Sequence, residues 1–542
     1  MSMTDVKFDM IIRGGTVFDG SSPDGSGYTA DIGITGGLIT AIGELSTATA
    51  DLEDDAANLI VAPGFVDIHT HSDISIGYNP QQASSISMGV TTQVVGNCGL
   101  SLGFAADTDA FSFEKRWLAP HNGRITWNSF GEHLDQIESR GCGNNIVPLA
   151  GHGTLRKRVM GQEDRAPTAV EMREMERKLD AAMECGVWGL SSGLEYPPSS
   201  FGTEAELIDL CRVVAAHGGL YATHLRSEGD RLVEAVQEAL NVAGAANIPL
   251  QLSHHKAEGK SNWGKIGTTL EMVDSARARG IDVQLDQYPY TAFMTSLGVQ
   301  TLPRAALTGT PEEVSARLIN PAQRTQIRKE MLVAHPEWND VSDKSPWLSI
   351  QIGVCRNRPH IQGRTILALA SESAIHPVDY VLDLLSDAVG YVSAVNFAIC
   401  EEDIGTVMRY PWTSIGSDGS GTDPDGPAAK DTIHPRTYGT FTRVLGKYVR
   451  EFGVLELSEA IYKMTGLPAA RMGLKNRGQI AVGAHADITV FSADQVNDRA
   501  TFDSPHQMSA GIRAVIVNGR YALKDGVLTG ELAGQLLRKG RG

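Results

Sequence analysis

From about residue 63 to residue 470, short apolar runs of strand length alternate with longer stretches of helical period. This alternation constrains the fold more than any other feature of the chain. The strand-like runs are GFVDIH, TTQVVGN, NNIVPLAG, GVWGLSS, GGLYATH, IPLQLSH, IDVQLDQ and WTSIGSD. Between several of them lie segments such as AVEMREMERKLDAAMECG and DRLVEAVQEALNVAGAAN, with apolar residues three and four apart and Gly or Asn at the end. Eight parallel strands with intervening helices predict an α/β fold, a TIM (β/α)8 barrel. A ninth candidate strand, YVSAVNFAIC, does not fit that count. Residues from about 292 to 365 are rich in Pro, Arg and charge, and are expected to form an insertion over the barrel mouth.

Both ends of the chain read differently. FDMIIRGGTVFDG, DIGITGGLITAIG and ANLIVAPG at the start, and GQIAVGAHADITVFSAD and IRAVIVNGRYAL near the end, are short apolar runs broken by glycine turns. They are expected to meet in one small β-sandwich-like domain, the alternative being two unrelated β-modules. The division is therefore 1–62 for the first part of the small domain, 63–470 for the barrel and 471–542 for the second part.

Charge and cysteine usage narrow the function. The formal net charge is −17, which argues against nucleic acid, whose phosphates call for basic patches. No apolar run reaches the roughly 18 residues of a membrane span, and the start MSMTDVKFDM lacks the basic-then-apolar pattern of a signal peptide. Six cysteines are spread through the chain with no CxxC, as expected of reduced thiols in a cytoplasmic protein. The oligomeric state is left open.

Reactive residues gather at the C-terminal ends of the strand-like runs, where a TIM barrel carries its active site. The first run ends in His69 and His71, two residues apart and so on one side of a strand. The second leads to Cys98, the fifth to His224, the sixth to His254, His255 and Lys256, the seventh to Tyr288 and the eighth to Asp418. Imidazole, thiolate and carboxylate are the usual ligands of zinc, so a metal site is expected from His69, His71, Cys98, His224, His254 and Asp418. His255 is expected to be structural, since it points away from its neighbour on a continuing strand. His152 is open between pocket and scaffold, and Glu195 is expected to fix a loop. Arg436, just past the eighth strand, carries a guanidinium suited to forking onto a carboxylate. It is otherwise a surface arginine.

PGFVDIHTHSD resembles the first-strand signature of the amidohydrolase superfamily. VVGNCG, SSGLEYPP, THLRSE, LSHHK, DQYPYTA and SDGSGTDPDGP followed by HPRTYGTFTRVLGKYVRE resemble the N-acyl-D-amino-acid deacylase (D-aminoacylase) family within it, from about residue 8 to residue 530. Many superfamily members bridge two metals with a carboxylated lysine on strand four; here that strand reads GVWGLSSGLEY and has none. The resemblance implies that Cys98 takes that place. It also implies one tightly held zinc on Cys98, His224 and His254, and a second, weaker position at His69, His71 and Asp418. It puts Lys256, Tyr288 and Arg436 near the carboxylate of a small-molecule N-acyl amino acid substrate. The expected reaction is zinc-dependent hydrolysis of an N-acyl-D-amino acid, with Asp418 moving the proton. The alternatives are another amidase of the superfamily, a dipeptidase or cyclic amidase, and a non-catalytic scaffold. TAFMTSLG after strand seven offers Phe293, Met294 and Leu297 and leans towards an apolar D-side chain.

Overall fold

The computed structural model describes residues 7–540 except 109, 110, 112, 113, 116, 117, 119–122 and 388–390. The alternating segment forms the strands β1 (Phe65–Asp67), β2 (Val90–Val95), β3 (Asn145–Pro148, continued by Ala150–Gly151), β4 (Gly189–Gly193), β5 (Leu220–His224), β6 (Leu250–Leu252), β7 (Val283–Gln287) and β8 (Thr413–Ile415). Each is parallel to the next. The last returns to the first through a parallel bridge between Thr70 and Gly419. There the Asp418 N–H donates to the His69 carbonyl at 2.7 Å, and the Ser417 N–H donates to Asp67 Oδ1 at 2.8 Å. These contacts close a ring of the TIM-barrel type.

The helices between the strands follow from local sequence. Helix α1 (Ala169–Glu184) begins at a capping box in which Thr168 and Glu171 satisfy each other's backbone N–H groups. It buries Met175, Leu179, Ala182 and Met183, one face of a 3.6-residue period. Helix α2 (Leu232–Ala246) ends at Asn247 in the left-handed region, a conformation asparagine tolerates better than most residues. Both helices pack on Leu190, Tyr221, Leu250 and Leu285 of the ring in a single apolar core.

The insertion is longer than expected. Phe293–Ser296 and Ile350–Ile352 both pair antiparallel with Ser393–Asn396, so the ninth candidate strand belongs here and not to the ring. Trp347 and Leu318 share one core with Ile366, Val381 and Leu384. Burial of that shared core carries the unit past residue 365.

The chain ends meet in one nine-stranded sheet, in which Ile488–Phe491 pairs antiparallel with Ile60–Pro63. Its hydrogen bonding runs unbroken from one chain end's strands to the other's. The reason lies in Lys7–Val17. This strand shifts register between Ile12 and Gly15 and pairs with Tyr28–Thr35 on one edge. On the other edge it pairs first with Thr49–Asp55 and then with Ile60–Pro63. A register shift of this kind bends a strand and lets one sheet curl.

Candidate metal centre and active site

At the C-terminal rim of the ring the expected side chains converge. Cys98 Sγ lies 3.3 Å from His69 Nε2, 3.4 Å from His254 Nε2 and 3.9 Å from His224 Nδ1. His224 Nδ1 and His254 Nε2 are 2.9 Å apart. Asp418 Oδ1 is 3.1 Å from His71 Nε2 and 3.6 Å from His69 Nε2. Ligand atoms of His69, Cys98, His254 and Asp418 all lie within 4.8 Å of one another, as do those of His224, Glu228 and His254. His254 thus joins the two groups, and His69 stands beside Cys98 as well as Asp418. The two ligand sets implied by resemblance share one continuous cluster.

Backbone strain accompanies this convergence. Cys98, His254 and Asp418 have φ of 52°, 33° and 50°, a left-handed region in which residues with a Cβ are uncommon. Such strain is held in place by the surrounding structure and concentrates at functional sites. Here it follows from turning each chain inward immediately after its strand.

The electrostatics fit a cation. Burial pushes the Cys98 thiol up, but the imidazoles of His69 and His254, with hydrogen bonds from His224 and His254, outweigh it and hold the thiol well below its usual range. Burial likewise opposes ionisation of Asp418, and Arg436 and His254 overcome it, so the carboxyl lies well below its usual range. Burial opposes the charge on His71 and His224, yet Asp418 and Cys98 raise the first to about 9, and Glu228 and Cys98 raise the second to about 10. A thiolate and carboxylates crowded by imidazoles are a donor set that a divalent cation neutralises, displacing the imidazole protons.

A surrounding layer of carboxylates fixes the imidazoles, as metal-binding histidines require. Asp286 Oδ1 meets His69 Nδ1 at 3.1 Å and accepts from the His254 N–H at 2.8 Å. Glu228 meets His254 Nδ1 at 3.0 Å and Lys256 Nζ at 2.6 Å. Sequence reasoning missed both, although Glu228 stands in THLRSE and Asp286 in IDVQLDQ. The available signal was a carboxylate inside, or just beyond, an otherwise buried strand, where it must find a partner. Glu195 does more than fix a loop: it lines the cavity and meets His224 Nε2 at 3.0 Å. His152 is scaffold, bonded to Ser199 and Glu206 at 2.7 and 2.8 Å. His255 turns away to Thr269 at 2.8 Å.

The cluster opens into a cavity of about 440 Å³, lined by the ring's strand ends and by the insertion. Arg436 and Lys256 flank the Tyr288 ring at 4.7 and 5.6 Å. The Tyr288 hydroxyl is buried and has no hydrogen-bond partner among the described residues. Arg436 is not free: Nη1 pairs with Asp418 Oδ2 at 2.8 Å, while Nη2 donates a long bond of 3.4 Å to the Met294 carbonyl.

A closed parallel ring that gathers thiolate, imidazoles and carboxylate at its C-terminal rim defines the metal-dependent hydrolase class. Comparison with known proteins makes this specific. The amidohydrolase family matches residues 53–522. A D-aminoacylase of Alcaligenes xylosoxydans xylosoxydans is 36% identical over 540 residues, 99% of each chain. An N-acyl-D-glutamate deacylase of the same organism is 37% identical over 513 residues, 95% of this chain and 93% of its own. The crystal structure of an N-acyl-D-glutamate deacylase from Bordetella bronchiseptica, complexed with zinc and a phosphonate mimic of the tetrahedral intermediate, superposes with a TM-score of 0.80. It is 33% identical and covers 98% of this chain and 100% of that one. The chain belongs to the amidohydrolase family, and within it to the N-acyl-D-amino-acid deacylase group.

Proposed function

We propose that the protein hydrolyses the amide bond of N-acyl-D-amino acids, releasing a carboxylate and a free D-amino acid, with zinc at the Cys98 cluster. One observation carries the reading: a buried thiolate, imidazole and carboxylate cluster shares a single cavity with Arg436, Lys256 and the buried Tyr288 hydroxyl. The donor set suits zinc, held by Cys98, His224 and His254 with His69, His71 and Asp418 beside them. When bound, zinc lowers the pKa of water to roughly 7 and polarises a carbonyl. Asp418 accepts the proton from the attacking water on its carboxylate and returns it to the amide nitrogen as that nitrogen leaves as an amine. Arg436 Nη2, Lys256 Nζ and the Tyr288 hydroxyl offer donors to the substrate carboxylate. The catalytic body is residues 63–470, with the insertion roofing its mouth and the parts 1–62 and 471–542 forming the supporting sheet.

The test is amine release from paired N-acetyl-D- and N-acetyl-L-amino acids by the zinc-loaded protein. The D-series is expected to be hydrolysed and the L-series not, with metal analysis giving stoichiometric zinc. A zinc-free protein with no amidase activity is the scaffold reading instead.

A further inference from the structure

One imidazole on the cavity wall belongs neither to the metal cluster nor to the donors around Tyr288. His434, two residues before Arg436 in HPRTYGTF, lines the cavity yet is only 2% exposed. Both its ring nitrogens are used, and they reach different segments. Nδ1 accepts from the Arg436 N–H at 3.0 Å, and Nε2 donates to the Ala292 carbonyl at 2.9 Å. The two bonds fix the tautomer, because a nitrogen that accepts carries no proton and one that donates to a carbonyl carries one. Burial, with the Arg436 guanidinium adding to it, holds the imidazole well below its ordinary range, so the ring stays neutral. Tyr290 and Phe502 close on it edge to face, ring centroids 5.1 and 5.0 Å away.

Arg436 needs such a hold. It is the first residue of the helix Arg436–Arg443, whose cap Pro435 offers no side-chain acceptor. A buried N–H at a helix start must find an acceptor elsewhere, and the His434 ring supplies it. Ala292 directly precedes Phe293–Ser296, the strand by which the chain enters the insertion. The tip of Arg436 reaches that strand as well, through the bond from Nη2 to the Met294 carbonyl. Backbone and guanidinium are therefore both referred to the root of the insertion, with the Tyr288 ring 4.7 Å from the guanidinium. A shift of the Arg436 backbone would carry its tip away from the place where a substrate carboxylate is met.

Resting on the deacylase reading, we propose that His434 is a positioning residue: anchored on the root of the insertion, it accepts the Arg436 N–H and so sets the guanidinium for the substrate carboxylate. It touches neither the metal cluster nor the reacting atoms and acts only through Arg436.

Two variants separate the ends of the ring. His434→Asn puts an amide oxygen near Nδ1 and keeps the acceptor for Arg436. His434→Gln puts its amide near Nε2, keeps the bond to Ala292 and leaves the Arg436 N–H without its acceptor. Both are assayed as zinc-loaded full-length protein, by amine release from the best N-acetyl-D-amino acid of the paired screen and from its methyl ester. Metal analysis and circular dichroism are expected to show unchanged zinc and folding. His434→Gln is expected to lower kcat/KM on the free acid by about tenfold or more, carried more by KM than by kcat, and to lower it less on the ester. His434→Asn is expected to stay within about threefold of wild type. Placed in an Arg436→Met background, His434→Gln should cost less than about twofold further, since two residues acting through one contact are not additive. A folded His434→Gln within threefold of wild type, equal losses on acid and ester, full additivity with Arg436→Met, or a His434→Asn as impaired as His434→Gln each overturn the inference alone. If His434→Gln does not fold, His434→Asn carries the test, and a tenfold loss in the folded, zinc-loaded Asn variant overturns it. A wild type that hydrolyses no N-acyl-D-amino acid overturns the deacylase reading and this inference with it.

Discussion

Asp418 shows how much one residue's meaning depends on its surroundings. Its strand-end position was readable, but its partners were not: His71 at 3.1 Å on one oxygen and Arg436 at 2.8 Å on the other. Asp418→Asn keeps the size and removes the base. Turnover is expected to fall by roughly a hundredfold or more, with zinc retained on metal analysis; near-normal turnover would remove Asp418 from proton transfer. Arg436 is more entangled than a simple carboxylate clamp, because it also holds Asp418. Arg436→Met is therefore expected to lower kcat/KM on the free acid by about thirtyfold or more, since losing one partner of a buried charge pair costs about 2–5 kcal/mol. An ester of the same N-acyl-D-amino acid should also suffer, but less. Equal losses on acid and ester would assign Arg436 to Asp418 alone.

At the scale of the element, the helix Phe130–Arg140 carries a pH liability. Its His133 is buried against Trp127, ring centroids 4.4 Å apart. Burial, with Arg140 adding to it, lowers the imidazole from its ordinary value of 6.5 to about 3. The native state therefore holds this histidine neutral while the unfolded chain protonates it. Its contribution to stability is full above pH 6.5 and is lost as pH falls from there towards 3, by at most about 1.4 kcal/mol per pH unit. Thermal melts of wild type and His133→Gln from pH 7 to pH 4.5 check this: the variant should be less stable at pH 7 and lose less on acidification. Parallel slopes would show that another group dominates. Elements of this kind were largely legible. The capping box of Thr168 and Glu171 and the spacing of Met175, Leu179 and Ala182 are local properties of the sequence.

At the scale of the whole molecule, a buried carboxylate is one of the contacts that tie the chain ends to the ring, beside the Thr489 hydroxyl on the Gly89 carbonyl at 2.7 Å and the Ile146–Leu536 bridge. Asp487 Oδ2 accepts from Asn145 Nδ2 of β3 at 3.1 Å and pairs with Arg477, while Oδ1 accepts from the Asn518 N–H at 2.8 Å. Asp487→Ala leaves Arg477 buried without its partner and is expected to cost about 3–5 kcal/mol. The melting temperature should drop sharply, while zinc content and kcat of the folded protein stay close to wild type. An unchanged melting temperature would mean that the sheet and the ring are held together elsewhere. The sequence by itself determined the alternation of strand and helix, the apolar runs at both ends, and which strand ends carry His69, His71, Cys98, His224, His254 and Asp418. Those follow from periodicity and residue chemistry, which are local. Only the tertiary structure decided that Ser393–Asn396 leaves the ring for the insertion's sheet. It also decided that Lys7–Val17 curls one sheet around three partners, that Glu228 and Asp286 stand behind the histidines, and that Arg436 is paired with Asp418. Each of these is a contact between segments far apart in the chain, chosen by which buried surfaces and charges find partners once the ring has closed, and no local pattern encodes that choice.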